Sequence, residues 1–353
     1  MRGLFAPQRG TAMKRNVSRR AFVAAGGAAA ASMALAACGG GAQSGQSASS
    51  DSPATTKLTF CLDWAPNTNH TGVYVAQTKG YFADEGLEVT IVQPAEDGAE
   101  AMIGTGQVQL GVSFQDYIAG ALSSGNTGLT AVAAIIQHNT SGIMSRAEDG
   151  ITRPAAMEGH SYATWELPIE QATLKQVVEK DGGDYSKIEL VPNTVDDEVS
   201  ALKARLFDSV WVYEGWTVQN AKIQDYPVNY FSFISIDEVF DFYSPVIAAN
   251  VEFAKKNPEA IKAFLRAVKK GYEFAIAHPE EAATILCEAV LELDSELVRQ
   301  SQVFLADHYQ ADATSWGVID GERWSRFFQW LNDNKLVEGT LDVHAGWTMD
   351  YLQ

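Results

Sequence analysis

Cysteine is almost missing from this chain: three occur in 353 residues, at positions 38, 61 and 287. That spacing rules out a paired-cysteine metal site, and six scattered histidines supply no His-x-x-x-His pair, so no structural metal is expected. Positive charge is scarce too. Six of the 26 Lys and Arg residues lie before Cys38, where no acid occurs, leaving 20 basic against 44 acidic residues beyond it and a formal charge of −24. A surface that negative repels nucleic acid and anionic lipid, and both are excluded as partners. Long apolar runs are absent as well. The only candidate, Ala24 to Ala34, is too short and too rich in alanine to span a bilayer. No internal repeat is visible.

The first 37 residues read as an export signal. Ser18-Arg19-Arg20-Ala21-Phe22-Val23 supplies a twin-arginine basic start, the alanine-rich run follows, and Leu35-Ala36-Ala37-Cys38 resembles a bacterial lipobox. The reading predicts cleavage before Cys38, lipidation of that cysteine, and anchoring to the outer face of the cell membrane. Met13 serves as well as Met1 for the start, since residues 1–12 add nothing to the signal. Residues 38–56, rich in Gly, Ser, Gln and Ala, cannot bury a core and are expected to act as a flexible tether. Cys61 and Cys287 read as buried free thiols, an oxidised pair being open outside the cytoplasm.

From Lys57 short apolar strands alternate with amphipathic helices, an α/β pattern with a largely parallel sheet. Strands are expected at Leu58–Leu62, Val89–Val92, Leu110–Val112, Leu129–Ile136, Ile188–Val191 and Ser209–Tyr213, with helices at Thr71–Lys79, Ala99–Gly104, Ile169–Lys180 and Glu198–Leu206. After Asn250 helices alone follow. Asn257-Pro258 is a cap-and-start signal, and Ile261, Phe264, Leu265, Val268 and Tyr272 recur at helical spacing. Trp324, Phe327, Phe328 and Leu331 mark a late helix whose aromatics belong to the core. A chain that leaves one α/β unit and returns to it makes two lobes joined at a hinge. The boundaries fall at Arg146–Pro154 and Ile236–Pro245, giving one lobe of residues 57–146 and 245–353 and a second of 147–244.

Ligands in open α/β sheets sit at the carboxyl ends of strands, here the loops facing the cleft between the lobes. Four such junctions carry chemistry. Asp63-Trp64-Ala65-Pro66-Asn67-Thr68-Asn69-His70-Thr71-Gly72 offers Trp64, Asn67, Asn69 and His70, although Asn69 also suits a helix cap and His70 a satisfied loop histidine. Ser113-Phe114-Gln115-Asp116-Tyr117 adds Phe114 and Gln115. Tyr162 to Glu170 adds Trp165, with Glu170 equally suited to a first helical turn. Trp211-Val212-Tyr213-Glu214-Gly215-Trp216 adds Tyr213 and Glu214, an acid at the end of an apolar strand that needs a partner. Together these are aromatics, amides, one histidine and one carboxylate, with no cluster of arginine or lysine. An anion binder would show cationic side chains or free helix N-termini. A flat nitrogen heterocycle instead wants ring faces, each contributing roughly 1–3 kcal/mol by analogy with nucleobases, and an acid for its amino edge, about 1.5–3 kcal/mol.

The loop from Leu62 to Gly72, the phrase Ala76-Gln77-Thr78-Lys79-Gly80-Tyr81-Phe82, Trp211 to Trp216, Asp241-Phe242-Tyr243-Ser244-Pro245-Val246 and Trp324 to Leu331 resemble the ThiY-type binding proteins of the thiamine pyrimidine synthase-like superfamily. The resemblance spans nearly all of the chain after Lys57. It implies a two-lobed, type 2 periplasmic-binding-protein-like fold with the ligand cleft between lobes, and no catalysis. It also implies a thiamine-related aminopyrimidine such as N-formyl-4-amino-5-aminomethyl-2-methylpyrimidine as ligand, no cofactor, and an ABC permease with its ATPase as partners of a monomer. Carried over by position, Trp64, Asn67, Tyr213 and Glu214 become pocket residues, with His70 in the same loop and Tyr243 on the return crossing. The same superfamily holds a fungal hydroxymethylpyrimidine phosphate synthase that uses pyridoxal phosphate, iron and a loop histidine. Its cysteine-rich run has no counterpart at Asp237 to Tyr243. Riboflavin, nitrate, sulfonate or taurine are the other ligands of related binders. Where a glycine is expected before the fourth strand, this chain reads Lys203-Ala204-Arg205-Leu206-Phe207-Asp208.

Overall fold

The computed structural model describes residues 55–353 apart from 96, 97, 194 and 196. The export signal, Cys38 and all but the last two residues of the expected tether lie outside the described residues. Among the described residues no helix is long and apolar enough to cross a membrane.

Among the described residues ten strands form two sheets of five. Thr56–Cys61 (β1), Leu87–Val92 (β2), Leu110–Ser113 (β3) and Leu129–Ala134 (β4) open the chain. Ser141–Arg146 (β5), Ser161–Thr164 (β6), Glu189–Pro192 (β7), Ser209–Tyr213 (β8) and Val228–Ser232 (β9) follow, and Val246–Asn250 (β10) returns. The first sheet has the order β2-β1-β3-β10-β4 and the second β7-β6-β8-β5-β9. In each, four strands point the same way, and the strand that enters from the other sheet is antiparallel to both its neighbours: β10 to β3 and β4, β5 to β8 and β9. The largely parallel expectation thus holds for four strands of each sheet, and the fifth makes both sheets mixed. A chain that crosses directly from one sheet to the other enters without a helical crossover, and only such a crossover would keep its strand parallel.

The six strands expected from sequence are present, with ends shifted by a few residues; β5, β6, β9 and β10 were not among them. β5 explains the first lobe boundary. Residues 141–146, assigned by sequence to the first lobe, pair with β8 and β9 in the second sheet. Arg146 reads as a charged, exposed break but is 2 % exposed. Its guanidinium is held at the strand end through its terminal nitrogens, donating to the Phe207 carbonyl at 2.6 Å and the Leu202 carbonyl at 3.2 Å while pairing with Asp149 at 2.7 Å and with Asp208. The crossing thus lies between β4 and β5, and the return lies between β9 and β10.

The turn that lacks its expected glycine is made by Arg205, which adopts a left-handed φ of 56° and bonds to Glu148. The strand after it begins at Ser209, as the apolar run predicts.

Helices cover the first sheet. Pro258–Ala277 buries Ile261, Phe264, Leu265, Val268 and Tyr272 against β1 and the helix Thr71–Thr78. Each such side chain contributes roughly 1.5–3 kcal/mol when fully buried. The two helices meet at glycines: a Cβ on Gly271 would stand 1.9 Å from the Gly72 carbonyl oxygen. Asn257 sits at the expected start, but its amide donates back to the Phe253 carbonyl at 3.2 Å and does not cap the helix. Gly321–Asp333 buries Trp324, Phe327, Phe328 and Leu331, and Phe327 and Trp330 join Phe242 and Phe240 in a core shared by both sheets. Cys61 and Cys287 are free thiols, the first buried and the second half-buried.

Candidate functional site

The loop between β1 and the helix Thr71–Thr78 is a closed hydrogen-bonded unit. Asn67 Oδ1 accepts from the Asn69 backbone N–H at 2.9 Å, and Asn67 Nδ2 donates to the Ala65 carbonyl at 3.1 Å. The Asn67 backbone N–H donates to His70 Nδ1 at 3.1 Å, which makes Nδ1 the acceptor and assigns the ring proton to Nε2. Nε2 lies 2.6 Å from Asp63 Oδ1. From outside, Tyr272 donates to the Asn69 carbonyl at 2.6 Å and Tyr309 to the Thr68 carbonyl at 2.7 Å. The result is a fixed platform from which Trp64 projects, 55 % exposed.

Trp165 projects from the opposite sheet, at the end of β6. Glu170 holds it there. This buried carboxylate accepts from Tyr162 Oη at 2.7 Å, Thr164 Oγ1 at 3.0 Å, the Trp165 backbone N–H at 3.0 Å and the Leu167 N–H at 3.2 Å. Behind Trp165 stands Trp211 of β8, ring centres 5.8 Å apart, and behind that Phe233 at 4.2 Å.

Between the platform and these aromatics lies a cavity of about 350 Å³, lined from both sheets. This is a volume suited to a small ligand. Of the residues named from sequence, it is lined by Trp64, Asn67, Asn69, Phe114, Trp165 and Tyr213. Asp63, Thr68, Thr140, Glu198, Trp211, Trp216, Thr217 and Ser244 complete its main chemistry, and Leu305 reaches it from a C-terminal helix. Among the described residues no Lys, Arg or His lines it. The Trp211 indole N–H is buried and has no hydrogen-bond partner among the described residues.

Four named residues stand elsewhere. His70 is fully buried behind Asp63, both ring nitrogens engaged within its own loop. Gln115 is a structural bracket: Oε1 accepts from the Tyr243 N–H at 3.0 Å and Nε2 donates to the Trp324 carbonyl at 2.8 Å. Tyr243 is buried under Arg323, whose guanidinium lies 4.6 Å from the ring centre, and its hydroxyl accepts from the Asp320 N–H at 2.7 Å. Glu214 is half-buried, its carboxyl raised by desolvation against the opposing charges of Lys222 and His308. A π-helical turn, Glu214–Val218, starts at this residue and turns Gly215, Trp216 and Thr217 to the cavity in its place. Such single-turn insertions recur at functional sites.

Among the described residues the carboxylates on the cavity wall are Asp63 and Glu198. Asp63 stands next to Trp64 at a strand end, a position that signals it in sequence. Glu198 and Leu305 carry no local signal. Nearby, Asp116 has its carboxyl pushed up to about 7 by burial and by Glu100, and Tyr213 has its hydroxyl raised mainly by burial, with Asp116 adding to it. Among the described residues no group of three or more His, Cys, Asp or Glu could hold a metal ion.

Known proteins are similar to this chain in sequence and in fold. The formylaminopyrimidine-binding protein of Halalkalibacterium halodurans is 28 % identical over 297 residues, covering 83 % of this chain and 89 % of its own length. A 4-amino-5-hydroxymethyl-2-methylpyrimidine phosphate synthase of Saccharomyces cerevisiae is 26 % identical over 240 residues, covering 65 % of this chain and 70 % of its own. The periplasmic aliphatic sulphonate binding protein of Escherichia coli superposes with a TM-score of 0.66 at 16 % identity, over 84 % of this chain and 99 % of that one. The fold is that of the periplasmic binding proteins. The family model described as NMT1/THI5 like matches residues 67–282. With more than half of its length under that model, the chain belongs to the NMT1/THI5-like family.

Proposed function

We propose that this protein is the extracytoplasmic solute-binding component of an ABC importer, and that its ligand is a thiamine-related aminopyrimidine such as N-formyl-4-amino-5-aminomethyl-2-methylpyrimidine. The observation that carries the reading is the cavity wall: aromatic rings and carboxylates from both sheets, with no cationic side chain among the described residues. Sulfonate, nitrate and phosphate groups would lack a charged partner there, whereas a flat amino heterocycle finds ring faces and acceptors. In this reading Trp64, Trp165 and Tyr213 hold the ring, and Asp63, in place of Glu214, accepts from its amino edge. The relative from Halalkalibacterium halodurans, a formylaminopyrimidine-binding protein, supports the same ligand class.

Binding without turnover is the second part of the proposal. The synthase relatives raise the alternative of chemistry at the loop histidine. His70 has no exposed surface, and both its nitrogens are bonded inside the loop. The cavity also offers no lysine or arginine to a phosphorylated cofactor such as pyridoxal phosphate, so the residues present do not fit one. The lipobox at Cys38 completes the proposal with a lipid anchor, a permease and its ATPase as partners, and a monomeric binding protein.

Calorimetric titration of the purified protein with formylaminopyrimidine, hydroxymethylpyrimidine, thiamine, riboflavin and taurine tests the ligand class. A pyrimidine is expected to bind one to one with loss of tryptophan fluorescence. Binding of taurine alone would end the reading. Incubation with pyridoxal phosphate and iron is expected to yield no pyrimidine product.

A further inference from the structure

The helix Ser295–Ala306 belongs to the helical layer over the first sheet, where it packs on Pro279–Ala289 and Pro258–Ala277. It also touches the π turn Glu214–Val218, which ends β8 of the second sheet. One hydroxyl occupies that junction. Ser301 Oγ is fully buried, lies 2.6 Å from Thr68 Oγ1, and bonds to the Gly215 carbonyl oxygen. A carbonyl only accepts, so the single Ser301 proton goes to Gly215. Ser301 must then accept from the Thr68 hydroxyl, and the relay has one direction: Thr68 to Ser301 to Gly215.

The two ends of this relay are opposite walls of the cavity. Thr68 lies in the platform loop and Gly215 in the π turn, and both line the cavity, while Ser301 does not. The contact is close enough to need glycine: a Cβ on Gly215 would stand 2.8 Å from Leu305 Cδ2 and 3.4 Å from Phe304 Cδ1. Leu305 lies one turn beyond Ser301 on the same helix and also faces the cavity.

We propose that the Thr68–Ser301–Gly215 relay is a clasp between the two walls, and that Ser301 is a positioning residue that sets how long the cleft retains its ligand. The identity of the ligand rests on the function proposed above; the clasp itself does not. Separating the sheets breaks the bond to Gly215 while water replaces the lost partner, so the clasp shifts the closed-to-open balance by roughly three- to tenfold per bond. Because Ser301 does not itself line the cavity, it meets no ligand, and its effect passes through the two walls it joins.

Stopped-flow tryptophan fluorescence with formylaminopyrimidine separates the rates. Ser301→Ala is expected to speed dissociation by about tenfold and leave association within about twofold, since closure follows encounter. Gly215→Ala, which keeps every hydroxyl and wedges the turn off the helix, is expected to move dissociation in the same direction. Small-angle scattering without ligand gives an independent arm, in which Ser301→Ala is expected to show a larger radius of gyration than wild type. Should wild type bind no pyrimidine, the ligand reading falls and the scattering arm still decides the clasp. Folded Ser301→Ala with both the wild-type dissociation rate and the wild-type radius would overturn it.

Discussion

Asp63 Oδ1 and His70 Nε2, seven residues apart in one loop, lie 2.6 Å from each other, and only the aspartate reaches the cavity wall. The histidine spends its proton on orienting the carboxylate, while its other nitrogen reads the Asn67 N–H. Asp63→Asn should therefore weaken aminopyrimidine binding by roughly 10- to 150-fold, the worth of a charge-assisted hydrogen bond. Glu214→Gln should leave affinity within about threefold, since that carboxyl lies off the cavity wall. Calorimetry on the two variants checks both, and the reverse ranking would restore Glu214 as the reading acid.

Stacking should carry much of the remaining affinity. Trp165 is 41 % exposed and faces the cavity with Trp211 behind it. Trp165→Ala is expected to cost roughly 5- to 150-fold in Kd, and Trp165→Phe much less. Equal losses for both variants would show that the indole N–H, and not the ring face, is what the ligand meets.

Glu170 acts behind the ligand surface. It is 3 % exposed and serves four donors at the end of β6. Glu170→Ala strands buried donors, at roughly 1–3 kcal/mol for each one left unpaired. A large fall in Tm is expected by scanning calorimetry, accompanied by loss of ligand binding as Trp165 loses its anchor. Wild-type stability in the variant would refute this.

The crossing between β4 and β5 carries a pH-dependent tie. His138 Nδ1 lies 2.7 Å from Asp241 Oδ2 on the return crossing, and Nε2 lies 2.8 Å from Asp312 Oδ1; Arg323 Nη1 is 3.2 Å from Nδ1. The bond to Asp241 is the largest influence raising this imidazole above its ordinary 6.5, burial works against it, and Asp312 adds to the rise. A raised histidine contributes stability that is complete below 6.5 and is lost as pH rises through the higher folded value. Asp116, pushed up to about 7, acts in the same sense: the folded state holds its proton more tightly, so stability falls as pH climbs from 3.8 to about 7. The difference between wild type and His138→Gln isolates the histidine. Between about pH 6 and pH 8 the wild-type Tm should fall more steeply than that of the variant. Parallel curves would remove the tie.

Much of this was legible in the sequence, for reasons that differ by element. β8 stands at Ser209–Tyr213 as expected, because a continuous apolar run ending in Tyr-Glu-Gly has one reading. The Asp63–Gly72 loop was recognisable because its Asn, Pro and Thr residues suit only a turn and a helix start. β5 escaped because a buried strand reading Ser-Gly-Ile-Met-Ser-Arg hides its burial behind polar side chains that find partners far away in sequence, Arg146 with Phe207 and Asp208 among them. Gln115 and Tyr243 had the right composition for a site and the wrong direction, being bonded to each other and to the Gly321–Asp333 helix and the turn before it. Leu305 reaches the cavity, and Ser301 the two walls behind it, only through tertiary packing, which no local pattern encodes.

The central claim is a flat ring held between tryptophans of opposite sheets with its amino edge on Asp63. A crystal structure of the protein grown with N-formyl-4-amino-5-aminomethyl-2-methylpyrimidine addresses it directly. The expected result is the pyrimidine between Trp64 and Trp165, its exocyclic amine within hydrogen-bond distance of Asp63, and the Thr68–Ser301–Gly215 relay intact. A ligand lying outside that cavity, or one whose amine faces solvent while Asp63 bonds only to His70, would contradict it.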